Sequence, residues 1–366
     1  MAADLNQTTS DPPFDVWHSV EDAYWSAFRT LPKDRWDFIT GAAGHEHTAR
    51  ANEHALAEIA LLPRTLAGAA DPDTSTTLLC SDTALPVAVA PMAYHQLAHP
   101  DGELATARAA KAAGVPFTVP TLSGHTVEEL AAVGGECWFQ LYPQPDKGIE
   151  AELIARAEAA GCTALMVTVD VPIMGRRLRD LRNDFRLPPE ITNAHLPGED
   201  TGGSAPTSHT TDVVDARFDW VGLGTIRDRT ALPLVIKGVL SAVDADRAVS
   251  LGVDGVIVSN HGGRQLDGVP PAVAALPAVV DAVDGRVPVL FDSGIRSGID
   301  ILRALALGAQ GVLVGRPVLW ALAARGEPGV AELFSLLRTE LASAMTIAGC
   351  RDIPTARSLR TTRTRR

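Results

Sequence analysis

Gly255-Val256-Ile257-Val258-Ser259-Asn260-His261-Gly262-Gly263-Arg264 is a short apolar run that breaks abruptly into a polar, glycine-rich turn. The run is too short for a helix, and its Val-Ile-Val content favours a strand covered on both faces, as in a parallel sheet. A helical pattern precedes it, and Gly252 closes that helix as a C-terminal glycine does. The same unit recurs along the chain. Pro86–Ala90, Pro116–Val119, Trp138–Leu141, Ala164–Val169, Leu234–Ile236, Val287–Phe291 and Gly311–Val314 are further runs of this kind. Gly114, Gly161 and Gly308 end the intervening helices, and Thr126 with Glu129 forms a capping box that opens one. These βα units predict an α/β fold, a (β/α)8 TIM barrel rather than a doubly wound sheet.

Outside the barrel, a helical preamble carries Trp17, Tyr24, Trp25 and Phe28, and Trp36, Phe38 and Ile39 lead into Gly41 to Gly44. Residues 1–13 read as a disordered leader, 14–355 as a single domain and 356–366 as a basic disordered tail. The connection between the fourth and fifth strands, Pro172 to Pro233, is unusually long, and its middle, Gly198 to Val213, is rich in Gly, Ser, Thr and His. Such a loop is either a lid that excludes water from a site or a solvated insertion.

A net charge of −12 over 366 residues argues against a nucleic-acid partner. No apolar run reaches the ~18 residues that span a bilayer, and no signal-peptide pattern is present, so no membrane partner is expected. The four cysteines form no C-x-x-C pair, and Cys137 and Cys162 open apolar runs. Buried reduced thiols and a cytoplasmic location fit this pattern.

Barrel enzymes gather their reactive groups just past the strand ends. Read that way, the chain offers Pro91-Met92-Ala93, Pro120-Thr121-Leu122, Gln140 and Tyr142, and Thr168 and Asp170 at the first four strands. The last four give Lys237, Ser259 to Arg264, Asp292-Ser293-Gly294 with Arg296, and Gly315-Arg316. Gly294, Arg296, Gly315 and Arg316 lie after the seventh and eighth strands, the usual phosphate site of such barrels. His261 is the candidate general base, with Asp170 in the right layer to orient it. Arg177 and Arg264 suit bidentate binding of a carboxylate. The residues alone thus describe a barrel with a base, an acid-binding pair and a phosphate anchor. Gly222-Leu223-Gly224 has no strand before it, which argues against NAD. His45-Glu46-His47 lacks the spacing of a helical metal site, and no metal is expected.

Ser259-Asn260-His261-Gly262-Gly263-Arg264-Gln265-Leu266-Asp267 resembles the signature of the FMN-dependent 2-hydroxy-acid oxidase and dehydrogenase family. Ala90 to Ala93, His99 to Glu103, Phe139 to Tyr142, Thr168 to Asp170, Gly175 to Arg177 and Gly315 to Pro317 follow in family order. The resemblance spans roughly residues 20 to 355 and implies FMN as cofactor, with a 2-hydroxy acid and O2 as reactants. It implies that Pro91, Met92, Ala93, Gln140, Thr168, Lys237 and Ser259 hold the flavin ring, Lys237 beside its N1–O2 edge. Asp292, Gly294, Arg296, Gly315 and Arg316 would bind ribityl and phosphate. Arg177 and Arg264 would clamp the substrate carboxylate, Tyr142 would hydrogen-bond near it, and His261 with Asp170 would take a proton. Whether that proton comes from the hydroxyl or the α-carbon stays open.

Several positions depart from the commonest family pattern. Phe38 stands where many members carry a substrate-touching tyrosine, so one carboxylate hydrogen bond, worth about 1–2 kcal/mol, is expected to be absent. Leu122 replaces a tryptophan and Pro120 a flavin-contacting serine of glycolate oxidase. With Tyr94, Met174 and Trp138, these residues resemble the hydroxymandelate oxidase branch and imply an aromatic substrate such as (S)-4-hydroxymandelate. Ala93 resembles the oxidases rather than the monooxygenases. Family members are commonly tetramers, which implies a homo-oligomer. The rival readings are a lactate- or glycolate-type enzyme using another acceptor, a flavin-free phosphate-binding lyase or isomerase, and a non-catalytic flavin binder.

Overall fold

The computed structural model describes residues 16–196 and 213–363. Eight parallel strands close into a barrel: β1 Val87–Val89, β2 Phe117–Val119, β3 Cys137–Leu141, β4 Ala164–Thr168, β5 Leu234–Val239, β6 Gly255–Val258, β7 Val289–Phe291 and β8 Gly311–Val314. Each pairs with its sequence neighbour, and β8 returns to β1 with Val312 opposite Val87. Each predicted run overlaps one of these strands, with ends that differ by one or two residues at most of them. β5 continues three residues further than predicted, through an irregularity between Lys237 and Val239.

The strands read as apolar throughout because both faces are covered. Alternate residues point out to the helices: Phe117 and Val119, Phe139 and Leu141, Leu165 and Val167, Val256 and Val258 join the outer core. Their neighbours Ala88, Trp138, Met166, Val235, Ile257, Leu290 and Leu313 fill the barrel's interior with Leu78. Leu78 belongs to a hairpin, Thr76–Leu78 with Ser81–Thr83, that plugs the bottom, where Trp138 Nε1 donates to Ser81 Oγ at 3.1 Å. Trp138 is therefore an interior floor residue and not part of a substrate pocket. Its strand position, two residues before Gln140, puts it one layer too deep.

The N-terminal helices α1 (Val20–Thr30), α2 (Lys33–Thr40) and α3 (His47–Ala57) cover one flank. Tyr24 stacks edge-on against Trp36 and Trp320, which locks α1 and α2 to the helix after β8. Thr126 caps its helix with the predicted capping box. Gly222 to Gly224 lies inside the helix Trp220–Arg229, not in a phosphate-binding turn.

The expected disordered tail is corrected as far as Arg363. Ile353–Arg357 is helical, and Thr361–Arg363 pairs antiparallel with Ile59–Leu61. Ile353, Ala356 and Leu359 are buried and anchor the segment, an apolar spacing that the basic composition masks. The expected leader and most of the Gly198–Val213 lid segment lie outside the described residues. Among the described residues, no helix is long and apolar enough to cross a membrane. All four cysteines are free; Cys137 and Cys162 are buried with Sγ atoms 3.6 Å apart, and Cys80 is exposed.

Candidate active site

The interior alternation builds the floor of the site. Two residues past Trp138, Met166, Val235, Ile257 and Leu290 stand Gln140, Thr168, Lys237, Ser259 and Asp292, so period two raises a polar layer on the apolar one. Gln140 Nε2 donates to Thr168 Oγ1 at 3.1 Å, and Lys237 Nζ donates to Ser259 Oγ at 3.1 Å and meets Asp292 Oδ2 at 3.0 Å. Burial works against the Lys237 charge, but Asp292 and Asp170 outweigh it and hold the ammonium above its ordinary pKa.

His261 stands on the turn after β6 with a positive φ of 57°, a conformation costly for a non-glycine residue. Ser259 Oγ holds it there by accepting the His261 N–H at 3.0 Å. Its Nδ1 donates to Asp170 Oδ1 at 3.1 Å, which turns Nε2 toward the pocket. Gly238, at φ 113°, makes this possible, since a Cβ there would lie 2.5 Å from the Asp170 carboxyl carbon. Burial pushes the imidazole below its ordinary pKa, with Asp170 opposing. Burial would raise Asp170, but His261 and Lys237 outweigh it and keep the carboxyl low. The pair is thus a neutral base beside a fixed anion.

Two arginines share the pocket with it. Arg177 is buried, and its Nε has no hydrogen-bond partner among the described residues. Arg264 directs Nη1 to the carbonyls of Phe38, Ile39 and Gly41 at 3.0, 3.4 and 2.7 Å. Burial lowers both guanidinium pKa values, and their mutual repulsion adds to the shift at Arg264. Such a pair favours an anion between them. Both sit over the Phe38 ring, at 5.8 and 5.5 Å from its centroid, and Phe38 in turn stacks on Phe185 at 4.7 Å. The ring therefore supports the guanidiniums by cation–π contact where a tyrosine would supply a hydroxyl. Tyr142, Tyr94, Leu122, Val171 and Met174 complete this end of the pocket. Burial, reinforced by Asp170, raises the Tyr142 pKa, so its hydroxyl keeps its proton.

The same pocket is also lined by Gly294, Arg296, Gly315 and Arg316 past β7 and β8 and by Pro91, Met92 and Ala93 past β1. Arg316 donates to the carbonyls of Gly262 and Gly41 at 3.0 and 2.9 Å, yet its buried Nε has no partner among the described residues, and burial with Arg296 lowers its pKa to about 10. Arg296 pairs with Glu53 at 2.8 Å. Gln140, Thr168 and Ser259 lie beneath the pocket wall rather than on it, and Asp170 stands behind His261.

Sequence reading missed three supports. Ser293 Oγ accepts the amides of Asn260 and Gly262 at 3.3 and 3.0 Å, which fixes the His261 turn from β7. Asn52 and Asn260 exchange reciprocal amide bonds at 2.9 and 2.7 Å and tie the turn to α3. Glu103, fully buried, accepts from the amides of His95 and Gly124 at 3.0 and 3.4 Å and from His125 Nδ1 at 3.1 Å. It joins the loops that carry Tyr94 and Leu122. Glu103→Ala would strand these donors, so an expected loss of about 3–5 kcal/mol in stability should appear in urea unfolding of the holoprotein.

Residues 27–362 match the family described as FMN-dependent dehydrogenase. The chain belongs to that family. Within it, the chain is 48% identical over 349 residues to a 4-hydroxymandelate oxidase of Amycolatopsis orientalis, covering 94% of this chain and 98% of that one. A glycolate oxidase of Spinacia oleracea is 42% identical over 334 residues, covering 89% and 90% of the two chains. A crystal structure of a mandelate oxidase superimposes with a TM-score of 0.91 at 48% identity, covering 95% of this chain and 99% of that one. This FMN-dependent dehydrogenase fold is the (β/α)8 barrel that the strand pattern predicts.

Proposed function

We propose that the protein uses FMN to oxidise an (S)-2-hydroxy acid with an aromatic side chain, such as (S)-4-hydroxymandelate or (S)-mandelate. The 2-oxo acid forms, and two electrons and two protons pass to O2 to give hydrogen peroxide. One observation carries this reading: Arg177, whose Nε has no hydrogen-bond partner among the described residues, and the Asp170-oriented His261 line a single pocket. A carboxylate held by the first brings the adjacent carbon and its hydroxyl to the second.

The donor set suits FMN. The orphaned Arg316 Nε, beside Gly294, Gly315 and Arg296, suits a phosphate. Lys237 and the backbone of Pro91 to Ala93, with Gln140, Thr168, Ser259 and Asp292 below, would hold the ring and ribityl chain. Bound FMN supplies the two-electron acceptor. The chain does the rest. Arg177 and the remaining nitrogens of Arg264 fix the carboxylate. Tyr142 donates its hydroxyl toward the substrate. His261 Nε2 takes the proton, and Asp170 stabilises the imidazolium that results. Phe38, Leu122, Tyr94 and Met174 offer an apolar wall to an aryl group, which supports an aromatic acid over glycolate.

A cytoplasmic homo-oligomer, tetrameric as the family resemblance implies, is the expected working form, and the free cysteines support a reducing compartment. The deciding measurement is an anaerobic absorbance titration of the holoprotein with (S)-mandelate, (S)-4-hydroxymandelate, L-lactate and glycolate. The aromatic acids should bleach the flavin fastest, and readmitted air should restore the colour with peroxide release. A protein that takes up no FMN, or flavin that no hydroxy acid bleaches, would sink the proposal.

A further inference from the structure

The two arginines that face the substrate stand on separate loops, Arg177 after β4 and Arg264 after β6. One N-terminal stretch, residues 33–46, touches both. Toward Arg264 it presents the carbonyls of Phe38, Ile39 and Gly41, and Ala43 N donates to Gly263 O at 2.9 Å. Toward Arg177 it pairs Gly44 N with Arg176 O at 2.9 Å. Arg177 also opens the helix Leu178–Arg182, whose next charged residue is Arg179.

Arg179 does not line the pocket. Its guanidinium spans the two ends of the N-terminal stretch instead, with Nη2 2.6 Å from Glu46 Oε2 and Nη1 3.4 Å from Asp37 Oδ1. Asp37 sits one residue before Phe38 on α2, and its other oxygen accepts Asn183 Nδ2 at 2.8 Å. Glu46 Oε1 accepts the Ala42 amide at 3.1 Å, which holds the peptide plane that carries the Gly41 carbonyl. The Arg179 stem would lie 3.4 Å from a Cβ placed on Gly41, so its aliphatic part packs against the residue whose carbonyl holds Arg264. Both acids are largely buried, their side chains 10% and 18% exposed, and the Arg179 side chain is 34% exposed, so the bridge is partly shielded from bulk water.

We infer that Arg179, bridging Asp37 and Glu46, is a positioning residue that sets the separation of Arg177 and Arg264 and so tunes recognition of the substrate carboxylate. The inference rests on the hydroxy-acid reading of the pocket. A guanidinium reaches both acids at once; neither a lysine nor a neutral amide does. Without the bridge, the Gly44–Arg176 and Asn183–Asp37 hydrogen bonds are left to join the Arg177 loop to the N-terminal stretch, and the ligand must order more of the clamp itself.

The test is the concentration dependence of anaerobic flavin bleaching, run on wild type, Arg179→Gln and Arg179→Lys with (S)-mandelate and with (S)-mandelamide, which lacks the anion. Arg179→Gln should raise the Kd for mandelate about 10-fold, with the limiting reduction rate within about 3-fold and mandelamide unaffected. Arg179→Lys should behave like the glutamine variant. If lysine restores wild-type affinity, the effect is one of charge and the inference falls. Equal weakening of mandelate and mandelamide, or an unchanged mandelate Kd, overturns it as well. Should Arg179→Gln not fold, Glu46→Gln removes one arm of the bridge and should shift the mandelate Kd in the same direction. Wild-type flavin that mandelate fails to bleach ends the hydroxy-acid reading and this inference together; a normal wild type with an indifferent variant ends the inference alone.

Discussion

Glutamine at position 261 should slow oxidation of (S)-mandelate by about 10³- to 10⁴-fold while the protein keeps its flavin. Glutamine approximates the length of histidine and puts its amide where Nε2 stands, but it has no basic lone pair and leaves Asp170 without the Nδ1–H donor. The residues proposed to hold FMN are untouched, and Ser259 Oγ still accepts the backbone amide that fixes the turn. Stopped-flow reduction of the variant is the measurement, and a near-normal rate would remove His261 from the chemistry. The same base dictates a pH profile. Burial lowers the imidazole pKa from its ordinary 6.5, so the neutral, proton-accepting form persists through neutrality. The acid limb of kcat/KM should have its midpoint below pH 6.5; a midpoint above pH 7 would assign the limiting group elsewhere.

Arg177→Met should lower kcat/KM for mandelate by about 10²- to 10³-fold, with (S)-mandelamide much less affected. Arg177 is a buried cation that rests on the Phe38 ring and whose Nε has no hydrogen-bond partner among the described residues, so most of its interaction energy awaits an anionic ligand. The corollary has the opposite sign. Removing a buried charge that has no ion-pair partner among the described residues relieves its desolvation and outweighs the lost contact with Phe38, so the ligand-free variant should melt no lower than wild type. A variant that lost both substrate and thermal stability would indicate a structural role instead.

Much of this site is legible in the sequence because a parallel barrel converts strand period into depth. An apolar residue inside, an apolar residue outside and then a polar residue inside is all that Val235-Ile236-Lys237, Ile257-Val258-Ser259 or Leu290-Phe291-Asp292 needs to say. His261 with Asp170, and the Arg177–Arg264 pair, follow from strand ends converging on one face. Trp138 reads ambiguously because a strand alone does not show how many layers the barrel holds. The supports made by N-terminal residues are invisible for another reason. Arg264 is held by main-chain carbonyls of Phe38, Ile39 and Gly41, which any residue could supply, so no side-chain type marks the contact. Glu103 stands in a recognisable segment, yet only the fold shows that its carboxylate is buried between two loops. The tail misleads because arginine and threonine dominate its composition, although three spaced apolar residues anchor it.

The proposed reaction makes this protein the nearest target of its own oxidant. Thiols are oxidised by peroxide as thiolates, so vulnerability follows acidity and access. Cys137 and Cys162, side by side in the strand layer, have neither: the hydrogen bond between them and their burial push the Cys162 thiol far up. Cys80 is exposed, but it lies against Thr163, ahead of the first residue of β4, whereas the pocket opens past the last. Among the thiols, oxidative wear should therefore fall first on Cys80, at the far end of the barrel from the pocket.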